Sequence, residues 1–236
     1  PESHIIYNDR DGDRFISVLL DVSTGAKRVL PRPISALSPD GSRAVSLNFA
    51  RLAATRPGYG YEGLPDPFAE EKFPEEDGVW IMDTESGVSI LAASVAQARE
   101  YHSERRELGA HKMWFNHTLF NTDGNRFLFL ARYAETEGGD VRRTAMFTVG
   151  ADGSELRCVL PYEMGASHFE WRDERTILAT SNLRGHEHRY GDFVLFPDAP
   201  GEIEYHTPWA SVLNRDGHPT FSPDRKWLLV DAYPRE

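Results

Sequence analysis

Over most of the chain, apolar and polar residues alternate with a period of two, in short runs separated by Gly, Pro, Asp and Asn. That is the pattern of half-buried β-strands joined by tight turns. A helical period shows in SVAQAREYHSERREL, 94–108, which predicts one excursion helix. Four segments align on their turns: ISALSPDGSRAVSL from Ile34, HTLFNTDGNRFLFL from His117, HFEWRDERTILATS from His168 and HPTFSPDRKWLLVD from His218. Each reads as an alternating strand, an acidic turn and a more apolar strand, the turns of the second pair being one residue shorter. The step from His117 to His168 is 51 residues, and that from His168 to His218 is 50. Further strand candidates lie within these steps, 144–150 with 156–162 and 191–198 with 202–208.

Four strands in a period of roughly 40–50 residues is the arithmetic of a β-propeller blade. An antiparallel sandwich with coincidental turn spacing is the weaker account. The expected fold is all-β, a β-propeller of four-stranded antiparallel blades, about four to five of them in this chain. One propeller segment spans 1–236, with blades at 34–93, 111–162 and 163–216 and blade remnants at 1–33 and 217–236. The first remnant reads as the second to fourth strands of a blade and the last as the first two, so the arc does not close. The step from Ile34 to His117 is 83 residues, and its excess falls in the excursion helix and in 50–77, rich in Gly, Pro and aromatics. Loops of this length are functional lids or self-packed ornament, and both readings stand.

Composition narrows the classes. The 236 residues are 40% hydrophobic and 27% charged, which excludes a disordered chain, and no apolar run nears the roughly 20 residues of a membrane helix. A net charge of −11 argues against general binding to nucleic acid or an anionic membrane, but leaves room for an acidic sugar in a locally basic cleft. Cys158 is the only cysteine, so no intrachain disulfide forms. No P-loop, GxGxxG or GxSxG motif occurs, and no organic cofactor is expected. Oligomeric state and compartment, cytoplasmic or periplasmic, are not legible.

The first strand of every propeller blade lines the central channel. His117, His168 and His218 share one repeat position, four residues before Asn121, Arg172 and Ser222, where Ile34 stands in the first unit. Three imidazoles on successive blades therefore point to one axis. They read as a divalent metal site, as a catalytic pocket with one histidine as base, or as a polar channel packing of satisfied rings. His111 and the pair in GHEH, His186 and His188, are further candidates, although GHEH lacks the HExxH spacing. Lys112, Arg132, Arg172, Arg184 and Arg189 surround the histidine strands as candidate cations for an acidic ligand, and Tyr162 and Tyr190 as candidate proton donors.

The SPDGSRAVSL and HPTFSPDRKWLLVD turns resemble the repeats of bacterial propellers related to the Tol-system translocation protein. HKMWFNHTLFNTDGNRFLFLARY, SHFEWRDERTILAT and DGHPTFSPDRKWLLVDAYP resemble oligogalacturonate lyase-like propellers. The resemblance covers most of the chain from Ile34 and implies a seven-bladed ring, of which this chain is a bit over half. It implies metal-assisted β-elimination on uronate-containing oligosaccharides, with a manganese-like or zinc ion. His168 and His218 match metal-bearing strands, joined as candidates by His186 and His188. His117 matches the strand that offers a base, and His111 and Tyr162 are further catalytic candidates. Arg132, Arg172 and Lys112 are the candidate substrate contacts. Only Asp216 and His218 stand where the family carries extra ligands, a departure from its pattern. In the related ulvan lyase arrangement, His117, Tyr162 and Arg172 or Arg132 are the nearest candidates. The alternative expectation is a non-catalytic, Tol-like propeller that binds a protein or glycan partner.

Overall fold

The structure, a computed structural model, describes residues 3–101, 111–134, 142–183 and 190–231. Two antiparallel sheets have four strands. One runs β4 (Ala36–Leu37), β5 (Arg43–Leu47), β6 (Gly78–Asp83), β7 (Ser89–Ser94), and the other β8 (Met113–Phe120), β9 (Arg126–Ala134), β10 (Arg142–Gly150), β11 (Arg157–Leu160), each in sequence order. Before them comes the three-stranded β1 (His4–Asp11), β2 (Arg14–Asp21), β3 (Lys27–Leu30). After them come β12 (Phe169–Trp171), β13 (Thr176–Ser181), β14 (Asp192–Pro197) and then the pair β15 (Pro219–Phe221), β16 (Leu228–Val230). The meander in each sheet and the repetition of sheets make an all-β propeller arc.

The repeat is held by its turns. In the turn after β4, the Arg43 amide donates to Ser38 Oγ at 2.9 Å and the Ser42 amide to Asp40 Oδ1 at 3.0 Å. After β8, Arg126 N reaches Asn121 Oδ1 and Asn125 N reaches Asp123 Oδ1. After β15, Trp227 N reaches Ser222 Oγ and Lys226 N reaches Asp224 Oδ1. These bonds hold Asp40 down to about 2, the Ser38 hydroxyl contributing most. The fourth position is left-handed in all three, Gly41 at φ 74, Gly124 at φ 73 and Arg225 at φ 58. The His218 turn is therefore as long as the first two, with an arginine in the glycine slot. The turn after β12 is one residue shorter, closed by Arg172 N to Thr176 O.

The core lies between sheets, because β9 and β10 are buried on both faces, whereas β1, β3 and β16 are largely open to solvent. Side chains alternate across β9: Phe127, Phe129 and Ala131 join Val45, Val79, Phe115 and Phe147 toward the preceding sheet. Leu128 and Leu130 join Met146, Trp171, Ile177 and Val194 toward the following one. This explains why FLFLA is a continuous apolar run. Phe129 stacks on Phe147 with centroids 5.5 Å apart, and at about 1.5–3 kcal/mol per buried side chain such contacts dominate the fold.

Two expectations are corrected. The stretch 202–208 does not form a fourth strand; it meets β14 through a single bridge, Leu195 to His206. Its alternation is intact, but glutamates and a proline leave it little to bury. The excursion helix is described only as α2 (Val95–Arg99), closed at its start by a capping box between Ser94 and Gln97; residues 102–108 lie outside the described residues. The 50–77 excursion opens with a second helix, α1 (Phe49–Thr55), capped by Asn48. It is pinned by buried Arg51, which donates to Met113 O, Glu71 O and Lys72 O and pairs with Asp66 at 3.2 Å.

Candidate functional site

His117 sits where β8 breaks register. Asn116 pairs with Leu130 and Leu119 with Leu128, so one extra residue is accommodated on β8 between these pairs. His117 takes φ 51, a left-handed conformation that a bulky residue holds only at a cost of order 1–3 kcal/mol. Asn116, 2% exposed, has neither polar atom of its amide hydrogen-bonded. A bulge, a strained backbone and an orphaned amide at consecutive positions mark a place shaped for something other than stability.

Two of the three aligned histidines meet. The rings of His168 and His218 lie 3.8 Å apart between centroids. Each is oriented by a carboxylate: His168 Nδ1 faces Asp216 at 2.9 Å and His218 Nδ1 faces Asp231 at 2.9 Å, so the protonated Nδ1 donates. Asp216 also accepts from Ser167 and Thr180, and the His218 amide holds Asp231 below the ordinary carboxylate range. Both rings act electrostatically on His117.

The cations around His117 set its chemistry. Tyr59, from the 50–77 excursion, meets the His117 ring edge-on at 6.1 Å and carries the Arg56 guanidinium over its own ring at 3.5 Å. Arg132, on β9, is 7% exposed. Arg132 Nε and Arg56 Nε and Nη1 are buried without hydrogen-bond partners. An unpaired buried donor costs roughly 1–3 kcal/mol, more when charged. Burial, then Arg56 and Arg142, push Arg132 down to about 9, which still leaves it protonated at neutral pH. Burial, then Arg132, Arg56, His168 and His218, push His117 down to about 3. His117 is open to solvent on one side, and the Arg132 and Arg56 charges act in the same direction as burial. The result is a neutral imidazole beside a cluster of arginines.

The remaining sequence candidates lie elsewhere. His111 stacks on Tyr133 at 5.9 Å, and Tyr133 packs on Tyr162. Tyr162 is in the core, and burial first, then Cys158, hold its hydroxyl proton well above the ordinary tyrosine value. Lys112 donates to Ala69 O on the far side of the 50–77 excursion. Arg172 lines a concavity at the turn end of β12 with Arg175 and Arg225, four residues past His168. Arg184, His186, His188 and Arg189 lie outside the described residues. Tyr190 does reach the pocket, acting on Arg132 and Arg56. Among the described residues no group of three or more His, Cys, Asp or Glu side chains is arranged to hold a metal, so His168 and His218 acquire no third ligand there. Sequence reasoning missed Arg56, Tyr59, Arg142 and Asn116. The one signal for the first two was their place in the aromatic 50–77 excursion.

No family model matches this chain, and no curated protein matches it. Among solved structures, the tricorn protease superposes with a TM-score of 0.52 at 8% identity, over 86% of this chain and 17% of that one. The β-propeller domain of the Trilobed protease from Pyrococcus furiosus, described as having an open velcro topology, gives 0.52 at 13% identity over 99% and 62%. The fold is a β-propeller. This chain spans less than two thirds of the length of either neighbour. The likeness to oligogalacturonate lyases is not shown, and the expectation of uronate β-elimination is overturned: the propellers named above are those of proteases, not of polysaccharide lyases.

Proposed function

We propose that this chain is a non-catalytic propeller segment that binds an acidic partner, protein or glycan, at the mouth of its channel. The observation that carries the reading is the cluster of Arg56, Arg132 and His117, whose buried guanidinium nitrogens lack hydrogen-bond partners, in a chain of net charge −11. The Tol-type character of the Asp turns supports it from the sequence side. Protonated guanidiniums with unmatched donors favour binding. The excursion that brings Arg56 and Tyr59 over the channel strands is then a binding element.

The reading is tested by calorimetric titration of the full chain, at low salt, with a glutamate-rich peptide and separately with an oligogalacturonate. One of the two binds, weakens as salt rises because exposed charges are screened, and is recovered intact by mass spectrometry. Failure of both to bind, or recovery of a cleaved chain, would refute it.

A further inference from the structure

We infer that Arg56 and Arg132, with His117 at the lip, form a seat for a single carboxylate group. This rests on the partner-binding reading above and narrows it to one chemical group of the partner.

The molecule treats its other buried arginines differently. Arg51 has four backbone or carboxylate acceptors for its guanidinium beyond Met113 O. Arg126 and Arg157 share Asp198, and both also reach Glu155. Arg132 and Arg56 have no such saturation: Arg132 Nε and two nitrogens of Arg56 are buried and bonded to nothing. The charges that act most strongly on Arg132 are those of Arg56 and Arg142, with the hydroxyls of Tyr190 and Tyr59. No carboxylate of the described chain is among them. A fold that supplies counter-charges so thoroughly elsewhere has left this place for an incoming one.

The donor count selects the ligand. Three buried nitrogens carrying four N–H groups match the two oxygens of a carboxylate, which offer about four acceptor positions, with the neighbouring tyrosines as further polar contacts. Inorganic phosphate or sulfate presents four oxygens and would leave acceptors unmatched against the same four donors. Seating a carboxylate also cancels part of the field that keeps His117 neutral. Groups facing His117 are Arg132 from β9, Arg56 and Tyr59 from the 50–77 excursion, and His168 and His218 from the strands that follow. A bound anion therefore makes the imidazole easier to protonate.

The test titrates the full chain with acetate at constant ionic strength, following the His117 ring signals by NMR, with inorganic phosphate and sulfate in separate arms. At neutral pH acetate produces a saturable shift of the His117 ring signals. Arg132→Gln and Arg56→Gln each weaken acetate at least tenfold, while Arg14→Gln, at an exposed position away from the pocket, leaves it unchanged. Should Arg132→Gln not fold, as judged by its amide spectrum, Arg56→Gln alone decides. Undiminished acetate binding by the folded variants, no saturable shift, or tighter phosphate or sulfate than acetate overturns the seat. Acetate binding without any acidic-chain binding leaves the seat standing and refutes the partner reading; the converse refutes the seat alone.

Discussion

Replacing Asp198 by Asn should cost this protein about 3 kcal/mol. Asp198 lies at the end of β14 with its side chain 1% exposed, and it accepts from groups of the preceding sheet. Thr148 Oγ1 donates at 2.7 Å, Arg157 Nη1 at 2.9 Å, and Arg126 Nε completes the set. Removing one partner of a buried ion pair costs about 3–5 kcal/mol, because the charge left behind keeps its desolvation penalty. Both guanidiniums retain some contact with water, 15% and 17% by side chain, which places the value at the lower end. For a chain of this size that is a fall in Tm of roughly 6–12 °C. Glu155 is the internal control: it touches the same arginines but is 64% exposed, so Glu155→Gln should cost at most about 1 kcal/mol. Equilibrium urea unfolding of both variants measures the contrast. A loss below about 1 kcal/mol for Asp198→Asn, or equal losses for the two, would show that the network is not a staple between sheets.

Three further outcomes follow from the same structure. Gly41→Ala, at φ 74 with open space around it, loses roughly 1 kcal/mol through backbone strain alone, read by thermal unfolding. His117 has a folded pKa near 3 against an ordinary 6.5, so the unfolded chain binds its proton first; its contribution is complete above about pH 6.5 and lost as pH falls toward 3. His117→Gln should flatten that part of the stability–pH curve, and an unchanged slope would contradict the assignment. Burial, then Glu163, push the Cys158 thiol up to about 12, so a thiol reagent at pH 8 should label native protein slowly and unfolded protein fast.

Much of the fold was legible because its determinants are local. Period-two alternation gives the strands, and Asp40, Asp123 and Asp224 bond their own turns, so the repeat is written in adjacent residues. Arg225 hid the length of the last turn because an arginine occupies a conformation usually given to glycine. The site was legible only in part. The repeat register brought His168 and His218 together, since blade geometry converts spacing into proximity. It gave no access to Arg56, which arrives from an excursion outside the repeat, and it overrated Arg172. At about 3.3 Å per residue, four positions along a strand carry a side chain roughly 13 Å from its histidine, to the turn end of the sheet. Nearness in sequence to a histidine strand is therefore a weak guide to nearness in space.

The two-sided character of β9 has a consequence for how this molecule can change. Phe129 and Leu130 are chain neighbours that serve opposite interfaces, so a shift of the strand to relieve one of them disturbs the other. Size changes there are tolerated only when matched by partners on both flanking sheets, Val45 or Val79 on one side and Trp171 or Val194 on the other. Variation in this propeller should accordingly collect in the excursions and the outer turn positions, while β9 evolves by coordinated replacement or not at all.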